Sequence, residues 1–250
     1  MKKPSFAALL YRELLLIKKL LLSYSIGSLI LILFPVLVLL SFRFGNLKLI
    51  IPEDAMSGSM TIIKLMPIMA AGMFAMLPSD AASKDITKPI WDYFRRSTQI
   101  SAARLALAKT VMNIISMTVS LIISIPLTYI IAYAAGTTVT GNDIGLSLLF
   151  ITFMDLMSVV FGAAMYYFKS VDKGGLFMSG LTATFVFGFM IPTAGELNKL
   201  PPGHADRYVI MEAYLNDVIT NVAPFTPLML IGVILIQFAL LLFIFKRREK

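Results

Sequence analysis

Six stretches of roughly 18–30 residues in this chain are apolar almost throughout, and runs of that length have few places to fold. They cover about residues 20–42, 60–79, 105–135, 144–168, 175–192 and 224–245. A helix rises about 1.5 Å per residue, so about 20 such residues cross a hydrocarbon layer of about 30 Å. The whole chain is 58% hydrophobic and 14% charged, and a water-soluble domain could not cover so much apolar surface. The expected fold is therefore all-α: one polytopic transmembrane bundle, residues 1–250, of about six transmembrane helices. Pro35 inside the first span predicts a kink that neighbouring helices tolerate. Lys64, near the start of the second, is placed to snorkel outward.

Residues 4–19 carry Phe6, Leu9, Leu10, Leu14 and Ile17 at helical spacing, with Ser5, Arg12 and Lys19 on another stripe. This pattern predicts an amphipathic amino-terminal helix, too charged to span, lying in the membrane interface. Met1-Lys2-Lys3 resembles the start of a signal peptide. The apolar stretch after it is broken by Arg12, Glu13, Lys18 and Lys19 with no cleavage site, so it reads as retained. Seventeen of the twenty-two Lys and Arg residues fall in segments that share one side of a six-span topology. The positive-inside rule then puts both termini on the cytoplasmic side of a cell membrane. Two connections are large: residues 80–104, expected to be cytoplasmic, and residues 193–223, expected outside. The outer one is broken at Pro201-Pro202-Gly203, and its apolar stripe (Val209, Ile210, Ala213, Tyr214, Val218) predicts a short surface helix.

Several chemistries are excluded. The chain has no cysteine and one histidine, so thiolate and HExxH sites cannot be built. It has no G-x-x-x-x-G-K-[ST] phosphate cradle and no G-x-S-x-G nucleophile elbow, so it is not expected to be an enzyme or to bind a cofactor itself. The net charge of +8 is scattered in short segments between apolar runs, which argues for topology signals and against nucleic acid.

The inner loop is the most distinctive segment. It runs Lys88-Pro89-Ile90-Trp91-Asp92-Tyr93-Phe94-Arg95-Arg96-Ser97-Thr98-Gln99-Ile100-Ser101, and Ala102 through Lys109 then lead into the third span. Ser97 or Ser101 is placed to cap the following helix. Aromatic and arginine side chains are enriched where one protein grips another. In a plainer reading the cations enforce topology, and Trp91 and Tyr93 anchor at the interface.

Thr98-Gln99-Ile100-Ser101 followed by Arg104 through Lys109 resembles the permeases of ABC-2 type ABC transporters. In that family this loop commonly carries a "PIS-R"-like element and a helix ending in lysine, and Gln99 stands where proline is commoner. The aromatic helix end Tyr166-Tyr167-Phe168, leading into Lys169-Ser170-Val171-Asp172-Lys173, is similar to the same family. In size and in these loops the chain looks closest to small six-span exporter permeases of Gram-positive bacteria, including those of phenol-soluble-modulin exporters, so a bacterial source is expected. The resemblance implies a permease that exports an amphipathic or hydrophobic cargo, a peptide being one candidate. It implies a second permease, identical or homologous, and a separate cytoplasmic ATPase subunit that holds ATP and Mg. Trp91, Tyr93, Phe94, Arg95, Arg96, Ser97, Thr98, Gln99, Ile100 and Arg104 would form the ATPase-coupling interface.

Met66, Met69, Met73 and Met76 lie on one stripe of the second span, with Ala71, Gly72 and Ala75 interleaved. Helix packing explains such a stripe, and so does a soft wall lining a cargo path. Asp155 is the one carboxylate well inside a predicted span. Its two readings are a hydrogen-bonded structural acid and a functional group of a gradient-driven secondary transporter or channel, the main rival class. His204 reads as a solvated loop residue. Glu53, Asp54, Glu196, Asp206, Glu212 and Asp217 read as solvated outer charges.

Overall fold

The computed structural model describes residues 5–45, 63, 66–87, 100–198, 217 and 219–249, with side chains given for 184 and below in the 171–198 helix and to 247 at the end. Every regular element among them is helical. The elements are α1 (Phe6–Phe44), α2 (66–75), α3 (Leu77–Thr87), α4 (Ala102–Ala135), α5 (Gly141–Phe168), α6 (Val171–Asn198) and α7 (Thr226–Glu249). A 3-10 turn, Ala223–Phe225, leads into α7.

Among the described residues, four helical stretches are long and apolar enough to cross a membrane: Phe6–Phe44, Ala102–Ala135, Gly141–Phe168 and Ile219–Arg247. The distribution of side chains supports a membrane protein. Leu22, Leu29, Phe34, Ile122, Leu228, Leu235 and Phe243 face outward, while Ser28, Ser116, Ser120, Ser124, Asp155 and Gln237 face inward. Water penalises that arrangement, and lipid does not.

The expected interfacial helix over 4–19 is not a separate element. α1 runs unbroken through it for 39 residues, past Pro35, with Ser5 as its cap (Ala8 N–H to Ser5 Oγ, 3.2 Å). Its buried face there is Leu9, Arg12, Glu13, Leu16 and Ile17, whereas Phe6 and Leu14, assigned to the apolar stripe, are exposed. The reason is packing: that turn has protein charges to meet. A helix of 39 residues is about 58 Å long, nearly twice the hydrocarbon thickness. One end therefore overhangs. The same holds for the 34 residues of α4.

The expected second span and inner loop also change shape. The chain turns at Met76 and continues as α3 into what was read as loop, burying Leu77, Ser79, Ala81 and Ala82. Pro78 near this turn lacks the N–H that an uninterrupted helix would use. The outer loop also starts later than expected, since α6 continues to Asn198. Lys64, residues 88–99 and His204 lie outside the described residues, as does most of the outer loop.

α4, α5 and α7 pack on one another at the centre. α1 lies along α4, α3 wedges between α1, α4 and α5, and α6 lies on α5. Local chemistry sets the ends. Gly136 adopts φ +73° after α4, and its N–H bonds the Tyr133 carbonyl at 3.1 Å. Thr140 and Asp143 form a reciprocal capping box at the start of α5. α6 doubles back on α5 through Lys169 and Ser170, and a Cβ on Gly174 would lie 3.1 Å from both Met165 N and Cα. That backbone cannot yield, whereas Gly175 next to it faces open space. Gly174→Ala is therefore expected to destabilise the protein by about 1–3 kcal/mol. Gly175→Ala should be neutral or slightly stabilising, by up to about 1 kcal/mol. Thermal unfolding in detergent compares the two, and equal effects would refute the close approach.

Candidate functional site

Two buried polar features occupy the bundle. The first is a cluster of four charges. Arg12 Nη1 lies 3.1 Å from Glu13 Oε1, and Arg12 Nη2 pairs with Asp85 Oδ1. Lys109 Nζ bridges Glu13 Oε2 at 3.1 Å and Asp85 Oδ2 at 3.0 Å. Tyr166 Oη donates to Asp85 Oδ2 at 2.9 Å, and its ring lies under the Lys109 ammonium, 4.9 Å from the centroid. Each charged side chain is at most 10% exposed. Two cations and two carboxylates cancel, which is what burial of ions requires. Four helices are joined by it: α1 through Arg12 and Glu13, α3 through Asp85, α4 through Lys109 and α5 through Tyr166.

Burial pushes the Asp85 carboxyl up, but the Lys109 ammonium and the Arg12 guanidinium outweigh it and hold it below the usual carboxylate range. Two further contacts brace α3 on α1. Tyr24 Oη donates to Asp80 Oδ2, and Lys84 Nζ donates to the Leu16 carbonyl at 3.2 Å. A cavity of about 20 Å³ adjoins the cluster, and Glu13, Lys109, Tyr166, Ser158 and Gln237 are among the residues that line it. That is room for a water, not for a cargo molecule.

The second feature is a polar stripe deeper in the bundle. Lys109, Asn113, Ser116, Ser120 and Ser124 recur along the buried face of α4. Asp155 and Ser158 lie on the buried face of α5, both with no exposed surface. Asn113 Nδ2 donates to Asp155 Oδ2 at 3.3 Å, and Ser158 Oγ accepts the Ser79 N–H at 3.1 Å.

The residues expected to form the coupling interface divide unevenly. Trp91, Tyr93, Phe94, Arg95, Arg96, Ser97, Thr98 and Gln99 lie outside the described residues. Ile100 packs on the apolar core that includes Leu105, Met165 and Phe245, and Arg104 is exposed on the first turn of α4. Ser101 occupies the cap position but makes no side-chain cap bond. Of the methionine stripe, Met73 rests against α1, its Sδ 3.9 Å from Ser28 Oγ, and Met69 is 48% exposed. The buried face of α2 mixes small residues (Ala70, Ala71, Ala75) with Ile68 and Phe74, and the small ones allow close approach.

Sequence reasoning missed the charge cluster, taking Arg12 and Lys109 as topology signals. One signal was present. Arg12 and Glu13 lie one turn from Leu9 and Leu16, which puts ions on an apolar face.

No protein-family model, curated protein or solved structure matches the chain.

Removing one buried partner leaves an uncompensated charge. Lys109→Met is expected to destabilise by roughly 3–5 kcal/mol, and adding Asp85→Asn should recover part of that loss. Because Asp85 titrates lower in the folded protein, its contribution is complete above the ordinary value of 3.8 and disappears as pH falls through the folded value. Unfolding of the wild type, Asp85→Asn and the double variant against pH checks both. Wild type and Asp85→Asn losing stability in parallel below about pH 4 would contradict the linkage.

Proposed function

We propose that this chain is the membrane permease subunit of an ATP-driven exporter of the ABC-2 type, working as a pair of permeases with two cytoplasmic ATPase subunits. One observation carries the reading. The aromatic, basic segment 88–99 is flanked by α3 and α4, and these two helices meet in the buried charge cluster through Asp85 and Lys109. A force applied to that segment is thereby delivered to α1 and α5 as well. Salt-bridged helices with little free volume between them move as units, which is what a mechanically driven bundle needs.

The overhangs agree with this. Arg12, Glu13 and Lys109 sit near the amino-terminal ends of helices longer than a bilayer, so the cluster lies at the end of the bundle where the positive-inside rule puts the cytoplasm. Nucleotide chemistry belongs to the partner, since this sequence has no phosphate cradle. The cavity beside the cluster is water-sized, so the path of an amphipathic or hydrophobic cargo is assigned to the seam between two copies. Trp91, Tyr93 and Phe94 would seat in the ATPase, with Arg95, Arg96 and Arg104 meeting its acidic groups.

A gradient-driven carrier using Asp155 is the second reading, favoured by the burial of that acid in α5. Association with an ATPase separates the two. Arg95→Glu with Arg96→Glu should abolish ATPase co-purification and export while membrane insertion stays normal. Undiminished co-purification and export in that variant would overturn the exporter reading of this segment.

A further inference from the structure

Asp155 lies in the middle of α5 with no exposed surface, and no cation is within ion-pairing distance of it among the described residues. It receives one hydrogen bond, from Asn113 Nδ2 to its Oδ2 at 3.3 Å. Each of the two side chains then keeps one oxygen. Asn113 Oδ1 and Asp155 Oδ1 are both buried and both without a hydrogen-bond partner. As a carboxylate, Asp155 would hold a full charge away from water against a single amide N–H, an arrangement that costs several kcal/mol. A proton on Asp155 removes that charge and gives the pair the one donor that the Asn113 carbonyl lacks.

We propose that Asp155 is a proton-binding site. The proton resides on Asp155 Oδ1 and is donated to Asn113 Oδ1, while Asn113 Nδ2 donates to Asp155 Oδ2. Acid and amide close a ring of two hydrogen bonds and clamp α4 to α5. The amide is selective for the protonated form because its carbonyl needs a donor and the carboxylate has none. Loss of the proton leaves two acceptors facing each other and a bare charge, so the contact opens and admits water.

The surrounding charges leave this site to itself. On α4, Lys109 stands one turn before Asn113, but its ammonium is held by Glu13 and Asp85. α3 brings Asp80, bonded to Tyr24, and Asp85, inside the charge cluster with Tyr166. α2 has no titratable residue over 66–75, and neither does α7 with its lead-in over 219–245. Asp172 and Lys173 of α6 are on its exposed first turn. The two unpartnered oxygens, Asn113 Oδ1 and Asp155 Oδ1, would also suit a hard metal cation, which is the competing occupant. The inference rests on burial and pairing, so it is independent of the exporter reading.

The test uses the full chain in lipid vesicles, with aspartate isotope-labelled at the carboxyl carbon and read by infrared spectroscopy. At about pH 7, where an ordinary carboxyl is ionised, a label-shifted carboxylic-acid carbonyl band is expected. It should be absent from Asp155→Asn and unchanged when sodium replaces choline in the buffer. Asp155→Asn should keep the wild-type unfolding temperature, because an amide can close the same ring. A spectrum without the band, or a band that disappears on adding sodium as the protein becomes more heat-stable, would overturn the proposal. If Asp155→Asn does not fold, Asn113→Ala serves instead. Its band must move to the higher frequency of an acid without an acceptor, and an unmoved band overturns the pairing.

Discussion

Four buried charges and a tyrosine hold this bundle in register. Arg12, Glu13, Asp85 and Lys109 come from three helices, and Tyr166 brings in a fourth. Burying any of them alone would be costly, because an unpaired ion taken out of water consumes a large part of a small protein's stability margin. Together they are neutral, and each carboxylate oxygen has a donor. The geometry is also restrictive. Apolar helices in lipid can slide past one another with little change in contact, but an ion pair lost by a one-turn slip cannot be replaced. The cluster therefore fixes the positions of α1, α3, α4 and α5, and α7 fills the apolar ground around Tyr166 through Ile244 and Phe245.

That constraint explains the inverted look of the rest. The outer surface carries leucine, isoleucine and phenylalanine, while serines, Asn113, Asp155 and Gln237 are turned inward. Small residues bring helices close: Ala70, Ala71 and Ala75 on α2, and Gly174 at the start of α6. With no hydrophobic drive between helices in lipid, close packing and a few hydrogen bonds must supply the association. Among the described residues, the Asn113–Asp155 pair and the Ser158–Ser79 and Ser28–Ala70 bonds are buried hydrogen bonds between helices.

The two polar features differ in what they can transmit. Both helices that flank segment 88–99 in the chain contribute a charge to the cluster, Asp85 from α3 and Lys109 from α4. The Asn113–Asp155 pair stands one turn further along the same face of α4, so a shift of α4 reaches it directly. Its opening or closing is limited to the contact between α4 and α5.

Much of the architecture was legible from the sequence alone. Helices α4, α5 and α7 lie over the stretches read as the third, fourth and last apolar runs, because hydropathy is a local property. Asp155 stood out as an anomaly for the same reason. Partners were not legible. Glu13 and Lys109 are 96 residues apart and Asn113 and Asp155 are 42 apart, and no local pattern couples such positions. Treating 4–19 as an interfacial helix and 80–87 as part of a loop followed from reading charged residues as solvated. The sequence determined which segments are helical and apolar enough for a membrane, since backbone hydrogen bonding and side-chain transfer act residue by residue. Only the tertiary structure decided which charges are buried, since that depends on whether a neutralising partner arrives from another helix.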